Sequence, residues 1–153
     1  MSVLRFQTQG AEETQSLAKR LGQSLCAGDV LCLIGDLGAG KTTFTQGLAL
    51  GLGLPSEEPI RSPTFMLLAE HPGGRLPLYH FDVYRLIDSQ GLYDLAYDEY
   101  LEMGGVVVIE WADRIAEALP PDRLDIRLMP GSQPNLRDIT LTPQGVWTRE
   151  FHL

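Results

Sequence analysis

The 153 residues carry a net charge of −8 and are 44% hydrophobic, which fits a single folded domain over 1–153 with room for a full α/β core. No run approaches the roughly 20 apolar residues of a membrane helix, the start Met1–Phe6 lacks a signal-peptide pattern, and two cysteines, Cys26 and Cys32, form neither a disulfide framework nor a metal spacing. With only two lysines, Lys19 and Lys41, and no basic cluster, gripping DNA or RNA is disfavoured as the principal activity, and a cytoplasmic protein with no membrane association is expected.

In chain order, residues 2–7 read as a strand and 11–26 as a helix, with Glu12 and Glu13 in its first turn and Leu17, Leu21 and Leu25 at four-residue spacing. Val30-Leu31-Cys32-Leu33-Ile34 is a continuous apolar run, the pattern of a strand covered on both faces, with Cys32 as a small core residue. A glycine-rich loop follows, and a helix runs from about Lys41 to Leu52. Residues 64–69 and 76–84 read as two strands joined by a turn at Pro72-Gly73-Gly74, and 88–102 as a helical stretch. Val106–Ile109 is a second fully buried strand, 112–118 a short helix, and 123–129 with 136–142 a terminal antiparallel pair. Alternating strands and helices predict an α/β fold: a mostly parallel sheet flanked by helices, with some antiparallel strands.

The loop Gly35-Asp36-Leu37-Gly38-Ala39-Gly40-Lys41-Thr42 fits G-x-x-x-x-G-K-[ST] at every fixed position. Glycine recurs in such a loop because backbone N–H groups must approach phosphate oxygens without side chains in the way. The helix behind it adds its positive N-terminal end. Leu37, Gly38, Ala39, Gly40, Lys41, Thr42 and Thr43 are therefore the candidate phosphate-binding residues. Lys41 is expected to reach the β- and γ-phosphates and the Thr42 hydroxyl to ligate magnesium, making ATP and Mg2+ the implied ligands.

Magnesium held by phosphates commonly takes one carboxylate from the C-terminal end of a neighbouring strand. Two acids fit. Glu110 ends the run Val106-Val107-Val108-Ile109, where exposure at the sheet rim would explain it. Asp82 lies in Leu78-Tyr79-His80-Phe81-Asp82-Val83-Tyr84, whose alternation places Leu78, His80, Asp82 and Tyr84 on one face. An ordinary alternative pairs Asp82 with Arg85 and satisfies His80 locally. Downstream of the loop, Pro63 biases Ser62 towards extended backbone and presents Thr64 as a candidate sensor of the γ-phosphate.

Four blocks in this order resemble the TsaE family: Gly35-Asp36-Leu37-Gly38-Ala39-Gly40-Lys41-Thr42-Thr43-Phe44, Ser62-Pro63-Thr64-Phe65, His80-Phe81-Asp82-Val83-Tyr84-Arg85-Leu86, and Glu110-Trp111. The resemblance covers about residues 8–142 and implies a single P-loop NTPase domain: the ATPase of bacterial tRNA threonylcarbamoyladenosine biosynthesis. It implies that Lys41 and the loop amides bind phosphates, that Thr42 and Glu110 bind magnesium, and that Asp82 and Thr64 form a switch-like apparatus. Lys41, Thr64, Asp82 and Glu110 are then the catalytic candidates, with Trp111 also contributing. The region from Gln9 to Glu12 would lie near the adenine, and Arg137 would contact phosphate or a partner. The implied partners are two paralogous proteins of the TsaB and TsaD type. One of them transfers threonylcarbamoyl to adenosine 37 of tRNAs reading codons that begin with A, so tRNA is reached only through the complex, which hydrolysis resets. Two other readings use the same loop. A small-molecule kinase would need an arginine-rich lid, whereas the region after Tyr84 is acidic (Asp88, Asp94, Asp98, Glu99, Glu102). A nucleotide-gated binding module with negligible turnover would need nothing more than the loop and a switch.

Overall fold

A computed structural model describes residues 2–55, 60–147, 151 and 153. Its elements are β1 (Leu4–Gln9), α1 (Gly10–Ser24), β2 (Val30–Ile34), α2 (Lys41–Gly51), β3 (Leu68–His71), β4 (Leu78–Asp82), α3 (Gln90–Tyr93), α4 (Tyr97–Leu101), β5 (Val106–Glu110), a 3-10 segment (Ala112–Ala118), β6 (Arg123–Pro130) and β7 (Leu136–Gln144). They build one seven-stranded sheet in the order β1-β7-β6-β2-β5-β4-β3. The inner strands β6, β2, β5 and β4 are mutually parallel, and antiparallel pairs close both edges.

Period-two alternation sorts the buried strands onto two cores. Leu31 and Leu33, Leu78, Val106 and Val108 pack with Leu17, Leu21, Phe44 and Leu48 of α1 and α2. Val30 and Cys32, Tyr79 and Phe81, Val107 and Ile109 pack with Leu92, Tyr97 and Ile115 on the other face. Burial pushes the Cys32 thiol up to about 12, so it behaves as the core residue its sequence context implied. No described helix is long and apolar enough to cross a membrane.

Helices α1 and α2 approach closely because glycines line their seam. A methyl group on Gly47 would lie 2.5 Å from the Gln15 carbonyl oxygen and 2.6 Å from the Ala18 Cβ. One on Gly51 would lie 2.2 Å from the Lys19 carbonyl oxygen. Gly47→Ala should therefore destabilise the fold by about 2 kcal/mol through overpacking, read as a lower denaturation midpoint at unchanged slope. The last turn of α1 contains no basic residue. Arg75, from the turn between β3 and β4, supplies the cation there, donating to the carbonyls of Leu25 and Gly22, both at 2.9 Å.

Four sequence expectations change. The helical stretch 88–102 is two short helices, α3 and α4, divided near Ala96, which adopts φ 60°. Leu92 and Tyr97 are both buried in one core, yet a continuous helix would point residues five apart roughly 140° away from each other. The strand expected from residue 64 begins at Leu68, because Thr64–Leu67 turns instead, with the Leu67 amide donating to the Pro63 carbonyl at 2.6 Å. The first strand lies at Leu4–Gln9 rather than 2–7. The strand expected over 76–84 is confined to Leu78–Asp82, whereas β6 and β7 pair antiparallel as expected, with β6 lying beside β2.

Candidate active site

The loop from Gly35 to Gly40 leaves the C-terminal end of β2, between β5 and β6, the position where open α/β sheets bind ligands. Three glycines are required by the backbone, Gly38 among them at φ 79°. Gly40, at φ 105°, turns the chain into α2, a conformation that a side chain strains. Gly35 packs the loop onto β6, since a Cβ there would stand 2.6 Å from the Leu128 carbonyl oxygen.

One cleft of about 390 Å3 is lined by Leu37, Gly38, Gly40, Lys41, Thr42, Thr43, Ser62, Thr64, Asp82, Glu110 and Trp111. Of the residues expected at the site, Ala39 does not line it, being 2% exposed and packed into the core; Arg137 and the stretch Gln9–Glu12 do not line it either. Residues from four separated stretches of chain thus converge where β2, β4 and β5 end.

Lys41 is nearly buried, at 6% exposure. Its ammonium donates to the carbonyls of Gly35 (2.6 Å) and Asp36 (2.9 Å) and stands 3.8 Å from the centre of the Trp111 ring. Burial pushes its pKa below the ordinary lysine value, while the carboxylates of Glu110, Asp82, Asp36 and Asp113 pull the other way. Trp111 holds φ 62° directly after β5, a costly conformation for a bulky residue. Its indole is backed by the Tyr84 ring at 4.8 Å. Tyr84 lies beyond the end of β4 and is not part of the strand face that alternation assigned to it.

The hydroxyls of Thr42 and Ser62 are hydrogen-bonded to each other. Thr64 Oγ1 donates to Asp82 Oδ2 at 3.0 Å, and the Tyr84 amide donates to Asp82 Oδ1 at 3.0 Å. No Asp82–Arg85 pair forms among the described residues; Arg85 instead lies over the Phe65 ring. Glu110 is not exposed at the rim, as the sequence suggested, but only 2% exposed. The parallel register sets Asp82 beside Glu110, and His80 Nε2 lies 2.6 Å from Glu110 Oε2. The second Glu110 oxygen makes no hydrogen bond among the described residues.

Arg137 does not line the cleft. Its guanidinium donates to the carbonyls of Ala39 (3.2 Å) and Gly38 (3.3 Å), and to Pro134 and Leu136 on the β6–β7 side. It braces the loop from behind. The Gly10 amide donates to the Asn135 carbonyl at 2.8 Å, which ties the start of α1, expected near the adenine, to the same turn.

A Mg2+ ion bound with phosphates usually keeps several waters and takes one or two protein oxygens. Glu110, with one oxygen anchored by His80 and the other unbonded, suits that requirement, as do the hydroxyls of Thr42 and Ser62. Among the described residues no group of three or more His, Cys, Asp or Glu side chains forms an all-protein metal cage. Sequence reasoning passed over the hydroxyl of Ser62; its place beside Pro63 in a block shared with the resembled family was the available signal.

Residues 8–139 match the family described as threonylcarbamoyl adenosine biosynthesis protein TsaE. The chain is 46% identical over 145 residues to the tRNA threonylcarbamoyladenosine biosynthesis protein TsaE of Bacillus subtilis, covering 95% of this chain and 89% of that protein. The protein of the same name from Treponema pallidum is 44% identical over 138 residues, covering 90% and 99%. A crystal structure of YdiB from Bacillus subtilis superposes with a TM-score of 0.78 at 42% identity, covering 94% of this chain and 87% of that one.

Proposed function

This chain belongs to the TsaE family of threonylcarbamoyl adenosine biosynthesis proteins, and on that premise we propose that it binds ATP with Mg2+ and hydrolyses it in the service of tRNA threonylcarbamoyladenosine formation. The observation that carries this reading is the convergence of Lys41, Thr42, Thr64, Asp82 and Glu110 on one cleft at the ends of three adjacent parallel strands. In it the amides of Leu37–Thr43 and the positive end of α2 hold the phosphates. Lys41 leaves the loop carbonyls to pair with β- and γ-phosphate oxygens, and Trp111 limits where its ammonium can go. Thr42 and Glu110 would hold a Mg2+ ion, which would supply charge neutralisation on the phosphates. Asp82, through its bond to Thr64, fixes the threonine near the γ-phosphate and helps orient the attacking water. The water oxygen bonds to the γ-phosphorus, the bond from that phosphorus to the β–γ bridging oxygen breaks, the water's proton passes to a phosphate oxygen or solvent, and ADP and inorganic phosphate leave.

The reading puts the protein in the cytoplasm with partners of the TsaB and TsaD type, where hydrolysis resets the complex that modifies adenosine 37. Leu37 at the tip of the loop is 86% exposed, and Phe65, next to Thr64, is 83% exposed. Apolar side chains flanking the cleft mouth support a site covered by protein during its cycle. The residues acting on the γ-phosphate also hold the exposed Phe65 turn, so nucleotide state and partner affinity are linked.

Wild-type protein should hydrolyse ATP slowly alone, and its affinity for the two partners should differ at least about fivefold between the ATP and ADP forms. Thr64→Ala should still bind ATP but bring that ratio close to one, as titration of the partners against each nucleotide form would show. Equal wild-type affinities in both forms would sink the switch. Tight, nucleotide-dependent partner binding with no turnover, alone or in the complex, would instead establish the gated binding module.

A further inference from the structure

His80 sits mid-strand in β4, fully buried among apolar neighbours, and every other residue of that strand but Asp82 is apolar or aromatic. A histidine there disrupts an otherwise apolar layer, and packing alone does not call for one. Its Nε2 meets Glu110 Oε2 at 2.6 Å. Its Nδ1 is buried and has no partner among the described residues. With a carboxylate as acceptor, the short contact requires the ring proton on Nε2. The bond therefore engages one oxygen of the carboxylate from the sheet interior. Rotation of the Glu110 side chain would break that bond, and Glu110 is at the same time part of the cleft lining.

We propose that His80 is a positioning residue for Glu110, fixing which carboxylate oxygen faces the metal and nucleotide in the cleft. The proposal rests on the reading of Glu110 as the metal carboxylate. Ligating carboxylates are commonly held by such outer partners, whose loss weakens metal affinity about 10–100-fold. It also accounts for a buried glutamate at a position where the sequence suggested an exposed one: without His80, this carboxylate would stand desolvated with no partner on its inner side.

The test compares wild type with His80→Gln, His80→Asn and His80→Leu as full-length proteins. Glutamine places an amide donor near the imidazole Nε2; asparagine and leucine do not. Calorimetry measures ADP binding with and without Mg2+, and phosphate release gives the Mg2+ concentration for half-maximal hydrolysis. His80→Asn and His80→Leu should bind metal-free ADP like the wild type, lose the affinity that Mg2+ adds, and need about tenfold more Mg2+. His80→Gln should recover to within about threefold. Unchanged Mg2+ dependence in His80→Leu, or glutamine no better than asparagine, overturns the proposal alone. A wild type that gains nothing from Mg2+ overturns the metal reading and this proposal with it. A measurement independent of how the variants fold is the tautomer of His80 in the wild type, read from long-range nitrogen–proton NMR spectra. The Nε2–H form is required, and an Nδ1–H form overturns the proposal.

Discussion

Lys41→Ala should lower ATP hydrolysis by about 10²–10³-fold while leaving the protein folded. The structure alters the reasoning behind this expectation. Lys41 does not project into solvent: it is 6% exposed, bonded to two loop carbonyls and stacked on Trp111. Removing it forfeits a cation–π contact of about 1 kcal/mol. It also relieves the burial that depresses its pKa, and the freed carbonyls border an open cleft where water can replace the ammonium. The stability terms largely offset each other; the electrostatic loss at the phosphates has no substitute. Circular dichroism and a thermal melt would check the fold, and a phosphate-release assay the activity. Hydrolysis at the wild-type rate would end the phosphate-loop assignment.

Glu110→Gln is the second large effect. Glutamine keeps the shape and presents an amide oxygen to His80 Nε2, so the pairing seen at 2.6 Å is retained in geometry. The charge is lost, and with it the attraction to Mg2+. Half-saturating Mg2+ should rise by about tenfold or more, with a matching fall in turnover at fixed metal. Stability should hold or improve, because a desolvated carboxylate is costly to bury even when paired. The two readouts separate the roles. A drop in melting temperature with unchanged Mg2+ dependence makes Glu110 structural, and the metal role then passes to Asp82, its neighbour in the β4–β5 register.

Much of the site could be read in the chain before folding, because its signals are local. The loop motif occupies eight consecutive residues, its strand and helix flank it directly, and alternation along Leu78–Asp82 correctly set His80 and Asp82 on one face. Runs such as Val106–Ile109 announce a buried strand because backbone geometry repeats every two residues. What periodicity cannot report is which distant residue lies opposite. The partnership of His80 with Glu110 spans thirty residues and exists because β4 and β5 pair in parallel in one register.

The same holds for Ser62 on Thr42, Trp111 over Lys41, and Arg137 on the carbonyls of Gly38 and Ala39. The resemblance pointed Arg137 to a phosphate or a partner, and only the placement of β7 next to β6 brings it against the loop carbonyls. Gly47 and Gly51 are unfavourable in a helix on local grounds, and only the close crossing of α1 explains them. The amino-acid order thus specifies most of the elements, the glycine-rich loop and the acids that end β4 and β5, since each depends on neighbours a few residues away. Burial, pairing and bracing emerge only when crossover connections bring the strand ends together, because those interactions depend on distances in space that no local pattern encodes.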